Sequence, residues 1–334
     1  MLSFDTFDAA YAHTLRWVHD SPRYFVAPRG FASREQLGLS FELTNPLARV
    51  PCSPQRKTNI VFNFAEALWY LSGSAGLEQI SYYAPSIRKY SMDGRTLTGT
   101  AYGAKLFHFG TAAFDQWNQV VRVLKEDRDS KRAVLQLYDA HELLIPNNID
   151  VSCTLGLQFL VREGQLHAVA FMRANDAYRG MVSDVFSFTF LQEMMACQLG
   201  LPLGSYHHLV GSFHIYEPDL PAVHRVLAEA APQTGRAGAV LPPMTRGDNW
   251  PHVHAVLRYE RELRENRTRL TAEGLSRTGL PEYWQQVLGL FEVYRQVRHE
   301  ERILPDAMDC LLPLYQQLVV HRWGDLLSSS RGRA

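Results

Sequence analysis

Two short apolar segments joined by a tight turn, with a long helical pattern after them, constrain the fold of this chain most. Residues 154–161 and 166–172 have the length and alternation of β-strands, and residues 162–165 (REGQ) between them predict a hairpin turn. From Ser183 onward, apolar residues recur every three or four positions. This spacing predicts a core helix that Ser183 caps at its start and that Gly200 ends.

Further strand and helix patterns lie on both sides of this unit. Residues 133–138 predict a third strand, and residues 59–71 predict a buried helix that stops at residues 72–73 (SG). Two amphipathic helices are predicted from Pro281 onward. Strands that alternate irregularly with long helices indicate an α+β fold with a mixed sheet and long core helices.

The chain has 334 residues, which is enough for a core that needs no disulfide or metal. Ala, Gly and Pro interrupt a polar stretch at about residues 231–251, and this composition predicts a surface excursion. We predict one main domain over residues 1–270 and a helical C-terminal extension over residues 271–334, packed on that domain.

Charge and cysteine spacing exclude several classes of protein. Lys plus Arg and Asp plus Glu both number 34, so the formal net charge is zero, and neither a nucleic acid nor a membrane is expected as a partner. The cysteines show no CxxC spacing, so we expect no metal site and no disulfide framework. Acidic residues near the N-terminus are unlike a signal peptide, and no apolar run approaches the roughly 20 residues that span a bilayer. The predicted location is the cytoplasm.

Two residues stand out as chemically unusual for their surroundings. Glu66 is a carboxylate in an otherwise apolar helix, so it either reaches out of the core or faces a pocket. Cys153 lies where a polar loop meets an apolar strand, and a cysteine there is by itself more often a packing residue than a nucleophile. The hairpin changes this expectation, because it brings Arg173 on the returning strand close to Cys153. A guanidinium there would lower the pKa of the thiol and could also hold a phosphate.

Six motifs in order resemble those of the folate-dependent thymidylate synthases and their nucleotide hydroxymethylase relatives. They are residues 66–71 (EALWYL), 100–103 (TAYG), 130–132 (SKR), Cys153, 173–176 (RAND) and 208–216, which ends in HIY. The resemblance runs from about Leu37 to Tyr216, and the intervals from Cys153 to Arg173 and from Arg173 to Asp184 fit the family without a gap.

The resemblance implies a thymidylate synthase-like fold and a nucleophilic mechanism. C5 of a pyrimidine is a poor nucleophile, and addition of a thiolate at C6 converts the ring into an enamine that can attack a one-carbon electrophile. Cys153 is then the nucleophile, Glu66 is a general acid and base that orders water, and Tyr102 belongs to the catalytic set. The implied co-substrate is 5,10-methylenetetrahydrofolate, to which Glu66 and Asp176 would bind, with Asp176 at the pterin.

The resemblance also implies how the nucleotide is held. Arg173 would bind the 5′-phosphate, with Arg29 as a second ligand, and Lys131 and Arg132 would reach the same phosphate from the partner subunit of a homodimer packed through the sheet. Without the family, the basic triplet would be interpreted as a solvated surface turn.

The family motif also assigns roles near the sugar. His214 and Tyr216 would hydrogen-bond the sugar hydroxyls, although an aromatic pair on a core strand has the same pattern. Ala174 stands where the family has serine, and Lys131 where it has arginine, and the smaller side chain leaves room for a ribose 2′-hydroxyl. Neutral drift would also explain both differences.

One departure from the family concerns the base. Thymidylate synthases carry asparagine at the position of Asp184. A carboxyl group accepts a hydrogen bond from the cytosine amino group and can share a proton with N3, so Asp184 predicts a cytosine base. The simpler alternative is that Asp184 only offsets the helix dipole.

Another departure concerns the product. No tryptophan lies between Trp69 and Tyr102, and ungapped counting puts Arg88 where thymidylate synthases have the tryptophan that shields their methylene intermediate. A more polar pocket would let water add, giving a hydroxymethyl product. Another aromatic residue such as Tyr90 could instead provide the shield. The family's folate-closing C-terminal tail has no visible counterpart.

The predicted function is folate-dependent hydroxymethylation of CMP at C5, as in the cytidylate hydroxymethylases of nucleoside-antibiotic biosynthesis. Two enzymatic alternatives are a dCMP hydroxymethylase and a nucleotide C5 methylase of the thymidylate synthase type. A binding-only scaffold is a further alternative, against which Cys153, Glu66 and Arg173 all argue.

Overall fold

The computed structural model describes residues 1–229 and 239–327. Residues 230–238, which include the first part of the predicted surface excursion, therefore lie outside the described residues, as do the last residues, 328–334. The rest of the excursion ends where a helix begins at Trp250.

The described residues form seven strands and twelve α-helices. The strands are β1 (Leu2–Phe4), β2 (Tyr24–Val26), β3 (Ser33–Leu43), β4 (Val134–Gln136), β5 (Thr154–Arg162), β6 (Gln165–Asp176) and β7 (Leu203–Tyr216). The helices are α1 (Phe7–Asp20), α2 (Ile60–Leu71), α3 (Leu77–Tyr83), α4 (Tyr102–Phe107), α5 (Gln116–Glu126), α6 (Gly180–Leu199), α7 (Leu220–Glu229), α8 (Trp250–Arg264), α9 (Ala272–Arg277), α10 (Glu282–His299), α11 (Pro305–Asp309) and α12 (Pro313–Trp323).

The strands form one mixed sheet in the order β1-β3-β7-β6-β5-β4, with β2 paired to β3. Two pairs, β1 with β3 and β6 with β7, are parallel, and the others are antiparallel. The α+β class and the mixed sheet predicted from the sequence are thus confirmed. Side chains alternate between the two faces of the sheet, and α6 packs against β6 and β7 on one of them.

The predicted hairpin is confirmed. Arg162 pairs with Gln165, and Glu163 and Gly164 between them both have positive φ angles, of 51° and 74°. A two-residue turn of this kind matches the twist of the strands. It sets the register that brings the start of β5 beside the end of β6.

The core helix α6 begins earlier than the sequence predicted. It starts at Gly180, so Ser183 lies within the first turn and is not its N-cap. The turn that leads into the helix is instead held by Asp176. Its Oδ1 accepts hydrogen bonds from the backbone N–H groups of Tyr178 and Arg179 at 2.9 and 3.0 Å. The predicted end is confirmed, because Gly200 adopts the left-handed conformation after the last turn.

The helix predicted over residues 59–71 forms as α2, with Asn59 as the N-cap whose side chain accepts from the N–H of Phe62. Every residue of α2 except Phe62 is buried, because α6 packs on one side of it and helices of the C-terminal region pack on others. These include α8, α10 and α12, of which α10 and α12 correspond to the two helices predicted from Pro281. In the described ranges, no helix combines the length and apolar character needed to cross a bilayer.

Candidate active site

A cavity of about 1070 Å³ opens where the ends of β3, β6 and β7 meet α2, α6 and the loop before β5. Its walls include most of the residues that the sequence marked for chemistry. They are Arg29, Glu66, Tyr102, Cys153, Arg173, Ala174, Asp176, Asp184, His214 and Tyr216. The structure thus brings these side chains together, while their individual roles stay predictions.

Cys153 and Arg173 meet at one wall of this cavity. Nη2 of Arg173 lies 3.8 Å from Sγ of Cys153. The same guanidinium donates to the backbone carbonyls of Ser152 and Val151, each at 2.9 Å. Arg173 therefore holds the backbone next to the thiol in place and also puts a positive charge beside the sulfur.

The pKa of Cys153 differs from the sequence-based expectation. The guanidinium of Arg173 does lower the pKa of the thiol, but loss of water in the crevice raises it by more, and the net shift is upward. The carboxylates of Asp184 and Asp150 add to this upward shift. The Cys153 side chain is nevertheless open to the cavity, so a reactant can reach a thiol that is mostly protonated at neutral pH.

The loop before the thiol is held by a buried carboxylate that the sequence analysis did not single out. The side chain of Asp150 accepts from the backbone N–H groups of Thr98, Gly99 and Thr100 at 2.8 to 3.0 Å. On the other side of the thiol, the hydroxyl of Tyr102 accepts from the N–H and the hydroxyl of Thr154. The position of Cys153 is thus anchored from both directions.

Glu66 faces the cavity and does not reach out to solvent. It is 7% exposed, and its Oε2 accepts a 3.1 Å hydrogen bond from the hydroxyl of Ser187 on α6. Burial, with a smaller contribution from the charge of Asp184, raises the pKa of Glu66 to about 8. Glu66 is therefore protonated at neutral pH and can donate a proton.

Asp184 lies one helical turn before Ser187 on the cavity side of α6. Burial raises its pKa to about 7, while a 2.7 Å hydrogen bond from Nδ2 of Asn175 works in the opposite direction. The charge of Asp176 raises it further. A carboxyl group with this pKa exchanges a proton near neutral pH.

The register of the sheet arranges the remaining polar groups. Ala174 lies beside Ser212, and Asp176 beside His214, on the parallel strands β6 and β7. Glu35 of β3 lies opposite His214 and accepts from the hydroxyl of Ser212. Glu35 and Ser212 line the cavity but carry no signal in the sequence, because only strand pairing brings them together.

Arg88 does not line the cavity, contrary to the position that ungapped counting gave it. It lies exposed in a 3₁₀ segment over Pro85–Tyr90, and its neighbours Ser86, Lys89 and Tyr90 form this part of the wall instead. The wall is still polar, and the Nζ of Lys89 lies 4.9 Å from the centroid of the Tyr90 ring.

The basic residues differ in their placement. Arg29 lines the cavity from a strained position, with φ of 53°, and donates to the carbonyl of Ile149 at 3.4 Å. Lys131 and Arg132 are exposed just before β4 and do not line the cavity of their own chain.

Comparison with known proteins gives a consistent assignment. Residues 28–237 match the family model described as thymidylate synthase. The chain is 30% identical over 207 residues to a deoxyuridylate hydroxymethyltransferase of Bacillus phage SP01, covering 59% of this chain and 54% of that protein. It is 34% identical over 194 residues to the protein of the same name from Pseudomonas phage M6, covering 57% and 54%.

The chain spans about half the length of the curated relatives it matches. The family model, however, covers well over half of this chain and includes β3 to β7, α2, α6 and the cavity residues described above. This chain belongs to the thymidylate synthase family.

Proposed function

We propose that this protein transfers a one-carbon unit from 5,10-methylenetetrahydrofolate to C5 of CMP and that water completes the product as 5-hydroxymethyl-CMP. The observation that carries the proposal is the half-buried carboxyl of Asp184, which lines the same cavity as the Cys153 thiol and the protonated Glu66. The overall reaction consumes CMP, the folate and water and releases tetrahydrofolate. The reaction involves no hydride transfer to the one-carbon unit, so no additional reductant is required.

Each step in this reaction has a side chain suited to it. The thiolate of Cys153 adds to C6, and a phosphate held by Arg173 stays beside the thiol. C5 then bonds to the one-carbon unit and loses its proton, and the bond from that carbon to the folate nitrogen breaks, which releases tetrahydrofolate and leaves an exocyclic methylene. Water adds to the exocyclic methylene, and departure of the thiolate restores the aromatic ring. Glu66, with its raised pKa, supplies and receives protons near the base.

The base assignment depends on the chemistry of Asp184. Cytosine presents an amino donor at C4 and an acceptor at N3, whereas uracil presents the opposite pattern. A carboxyl group with a pKa of about 7 can donate its proton to N3 and accept from the amino group. This pairing supports cytosine over uracil.

The size and polarity of the cavity support two ligands and a hydroxymethyl product. Single small-molecule pockets usually span about 300 to 1000 Å³, and a cavity of about 1070 Å³ lies just above that range, which favours a nucleotide and a pterin bound together. Ser86 and Lys89 form a polar, exposed part of the wall, which would let water reach the reacting carbon. The names of the phage relatives favour the same outcome, since those proteins are hydroxymethyltransferases.

We also propose a homodimer packed through the sheet, in which Lys131 and Arg132 bind the partner's nucleotide phosphate. The sheet face opposite α6 carries half-buried apolar side chains, namely Val169, Phe171 and Leu209. Their neighbours along each strand are fully buried, and since side chains alternate between the two faces of a sheet, these three lie on the opposite face. A second copy would cover this face. The proposed location is the cytoplasm, where a reducing environment keeps the nucleophilic thiol intact.

The second candidate is hydroxymethylation of dUMP, and the names of the phage relatives favour it. Products from CMP, dCMP, UMP and dUMP with the folate should therefore be weighed by mass spectrometry. The proposal expects a hydroxymethyl gain that is fastest with CMP and absent in Cys153→Ala. A faster gain with dUMP would overturn the base assignment, and a methyl gain would overturn the role of water.

A further inference from the structure

Asp184 is one end of a buried chain of hydrogen bonds that crosses three elements. Nδ2 of Asn175 on β6 lies 2.7 Å from Oδ2 of Asp184 on α6. Oδ1 of Asn175 lies 3.0 Å from Nε2 of His208 on β7, and Nδ1 of His208 lies 2.7 Å from the hydroxyl of Tyr206. His208 and Tyr206 are fully buried, and Asn175 is 3% exposed.

The protonation states of these groups fix which atom donates and which accepts in each hydrogen bond of this series. Burial lowers the pKa of His208 to about 3, so the imidazole is neutral and carries a single N–H. Burial also raises the pKa of Tyr206 well above its usual value, so its hydroxyl keeps its proton. Since Asn175 presents its carbonyl oxygen to Nε2, the N–H of His208 is on Nε2, and Tyr206 donates to Nδ1.

This direction has a consequence at the carboxyl group. Asn175 always presents an N–H donor to Oδ2 of Asp184, so Oδ2 is kept as an acceptor and the proton of the acid form belongs on Oδ1. Gly180 leaves the space for this contact, because a Cβ atom built there would lie 3.2 Å from Nδ2 of Asn175 and 3.4 Å from Oδ2 of Asp184. A carboxyl oriented in this way offers one donor and one acceptor to the ring edge.

We propose that Asn175, His208 and Tyr206 are positioning residues that fix the orientation of the Asp184 carboxyl and thereby determine the preference for cytosine over uracil. This inference rests on the proposed function, because it concerns how Asp184 recognises the base. Apolar side chains would fill the same buried volume without desolvating three polar groups, so packing alone does not require this chain.

Binding measurements separate a positioning role from a structural one. In a Cys153→Ala background, which cannot turn over, the affinities for CMP and UMP are measured by isothermal titration calorimetry. Asn175→Leu and His208→Phe each remove a polar link, and we expect the CMP-to-UMP affinity ratio to fall at least about tenfold. His208→Gln, which restores an amide donor and acceptor, should recover most of the ratio.

The control is His207→Phe, the same kind of change at the neighbouring position of β7. His207 lies on the other face of the strand and does not line the cavity, so the ratio should stay at the wild-type value. Thermal unfolding of each variant checks that it folds. If His208→Phe does not fold, Tyr206→Phe, which deletes one hydroxyl, provides the same test with a smaller change.

The pH dependence of CMP binding gives a signature that lost packing does not produce. Because the Asn175 donor lowers the pKa of Asp184, Asn175→Leu should move the ionisation step to higher pH. The titratable groups that face Asp184 are Glu66 and Tyr70 of α2, Tyr102 of α4, Cys153 before β5, Asp176 of β6 and Tyr206 of β7.

The outcomes distinguish this inference from the proposed function. If the Cys153→Ala protein with no further change shows no preference for CMP over UMP, the proposed substrate is refuted. The positioning role alone would be overturned if the unsubstituted background prefers CMP and the variants keep that CMP-to-UMP affinity ratio in full. The variants are Asn175→Leu and either folded His208→Phe or Tyr206→Phe, and the ionisation step in Asn175→Leu would also have to stay in place.

Discussion

Nη2 of Arg173 lies 3.8 Å from Sγ of Cys153, although the two residues are 20 positions apart in the chain. The hairpin between β5 and β6 creates this contact, and the contact links the charge that would bind a phosphate to the atom that would attack the base. Thiol reactivity and phosphate binding would therefore be coupled through one side chain.

Replacing Arg173 by Gln should make the thiol less reactive. The guanidinium lowers the pKa of Cys153, so its removal raises that pKa and reduces the thiolate fraction at neutral pH. We expect the alkylation curve of Cys153 against pH to move upward, measured by mass spectrometry of the labelled peptide. Arg162→Gln at the far end of β5 is the matched control and should leave the curve in place, whereas an unmoved curve in Arg173→Gln would remove the electrostatic role.

Replacing Glu66 by Gln should stabilise the fold while it reduces activity. Glu66 has a pKa of about 8 in the folded protein against an ordinary value of 4.5. Its stabilising contribution is therefore complete below about pH 4.5 and is lost as the pH rises toward 8. Gln resembles the protonated acid at every pH, so near pH 8 the variant should be more stable by about 1 to 3 kcal/mol.

Thermal and denaturant unfolding at pH 5 and pH 8 measure this difference. The gain should be larger at pH 8, and an equal gain at both pH values would contradict the raised pKa. Activity of the wild type should fall as the pH rises through about 8, where Glu66 loses its proton.

Replacing Asp184 by Asn should shift base preference toward uracil. An amide donates to O4 and accepts from N3–H, which is the pattern of uracil and the reverse of cytosine. We expect the ratio of kcat/KM for CMP over UMP to fall by about one to two orders of magnitude. Asp184→Ala, which offers neither group, is the control and should lower both values without reversing the ratio. An unchanged ratio in Asp184→Asn would argue against base recognition by this residue.

Replacing Ala174 by Ser should shift sugar preference toward deoxyribose. Ala174 lies beside Ser212 in register and lines the cavity, so a hydroxyl there takes up space near the sugar. The ratio of kcat/KM for CMP over dCMP should fall several-fold. Ala170→Ser on the same strand does not line the cavity and serves as the control. A ratio that stays constant in Ala174→Ser would place sugar selection elsewhere.

Mixing two inactive variants should restore activity if the site is shared between subunits. In the proposed dimer, Arg132→Ala would remove a phosphate ligand donated to the partner, and Cys153→Ala would remove the nucleophile of its own site. After unfolding and refolding as an equal mixture, half of the dimers are mixed and each has one complete site, so about a quarter of wild-type activity is expected. Continued inactivity, with dimers verified by light scattering, would place Arg132 outside the shared site.

The sequence predicted the elements of the fold well where local rules apply. The hairpin turn, the Gly200 end of α6 and the helix over residues 59–71 all follow from turn residues, caps and apolar spacing. The predicted start of α6 was wrong because Asp176 at the end of β6 holds the turn before the helix, by accepting from the N–H groups of Tyr178 and Arg179. The helix therefore begins at Gly180, three residues before Ser183. Arg88 was misplaced because counting along the chain does not say which side chains of the Pro85–Tyr90 segment face the cavity. A 3₁₀ segment has three residues per turn, so Ser86 and Lys89 share the face that lines the cavity and Arg88 lies off it.

The sequence alone determined the order and the chemical types of residues such as Cys153, Arg173 and Asp184, because a family motif and its intervals are properties of the sequence itself. The tertiary structure alone decided the net pKa of Cys153, the raised pKa of Glu66 and the buried neighbours of Asp184. The physical reason is that desolvation and hydrogen bonding depend on what surrounds a group in space, and strand pairing and helix packing bring those surroundings from distant parts of the chain.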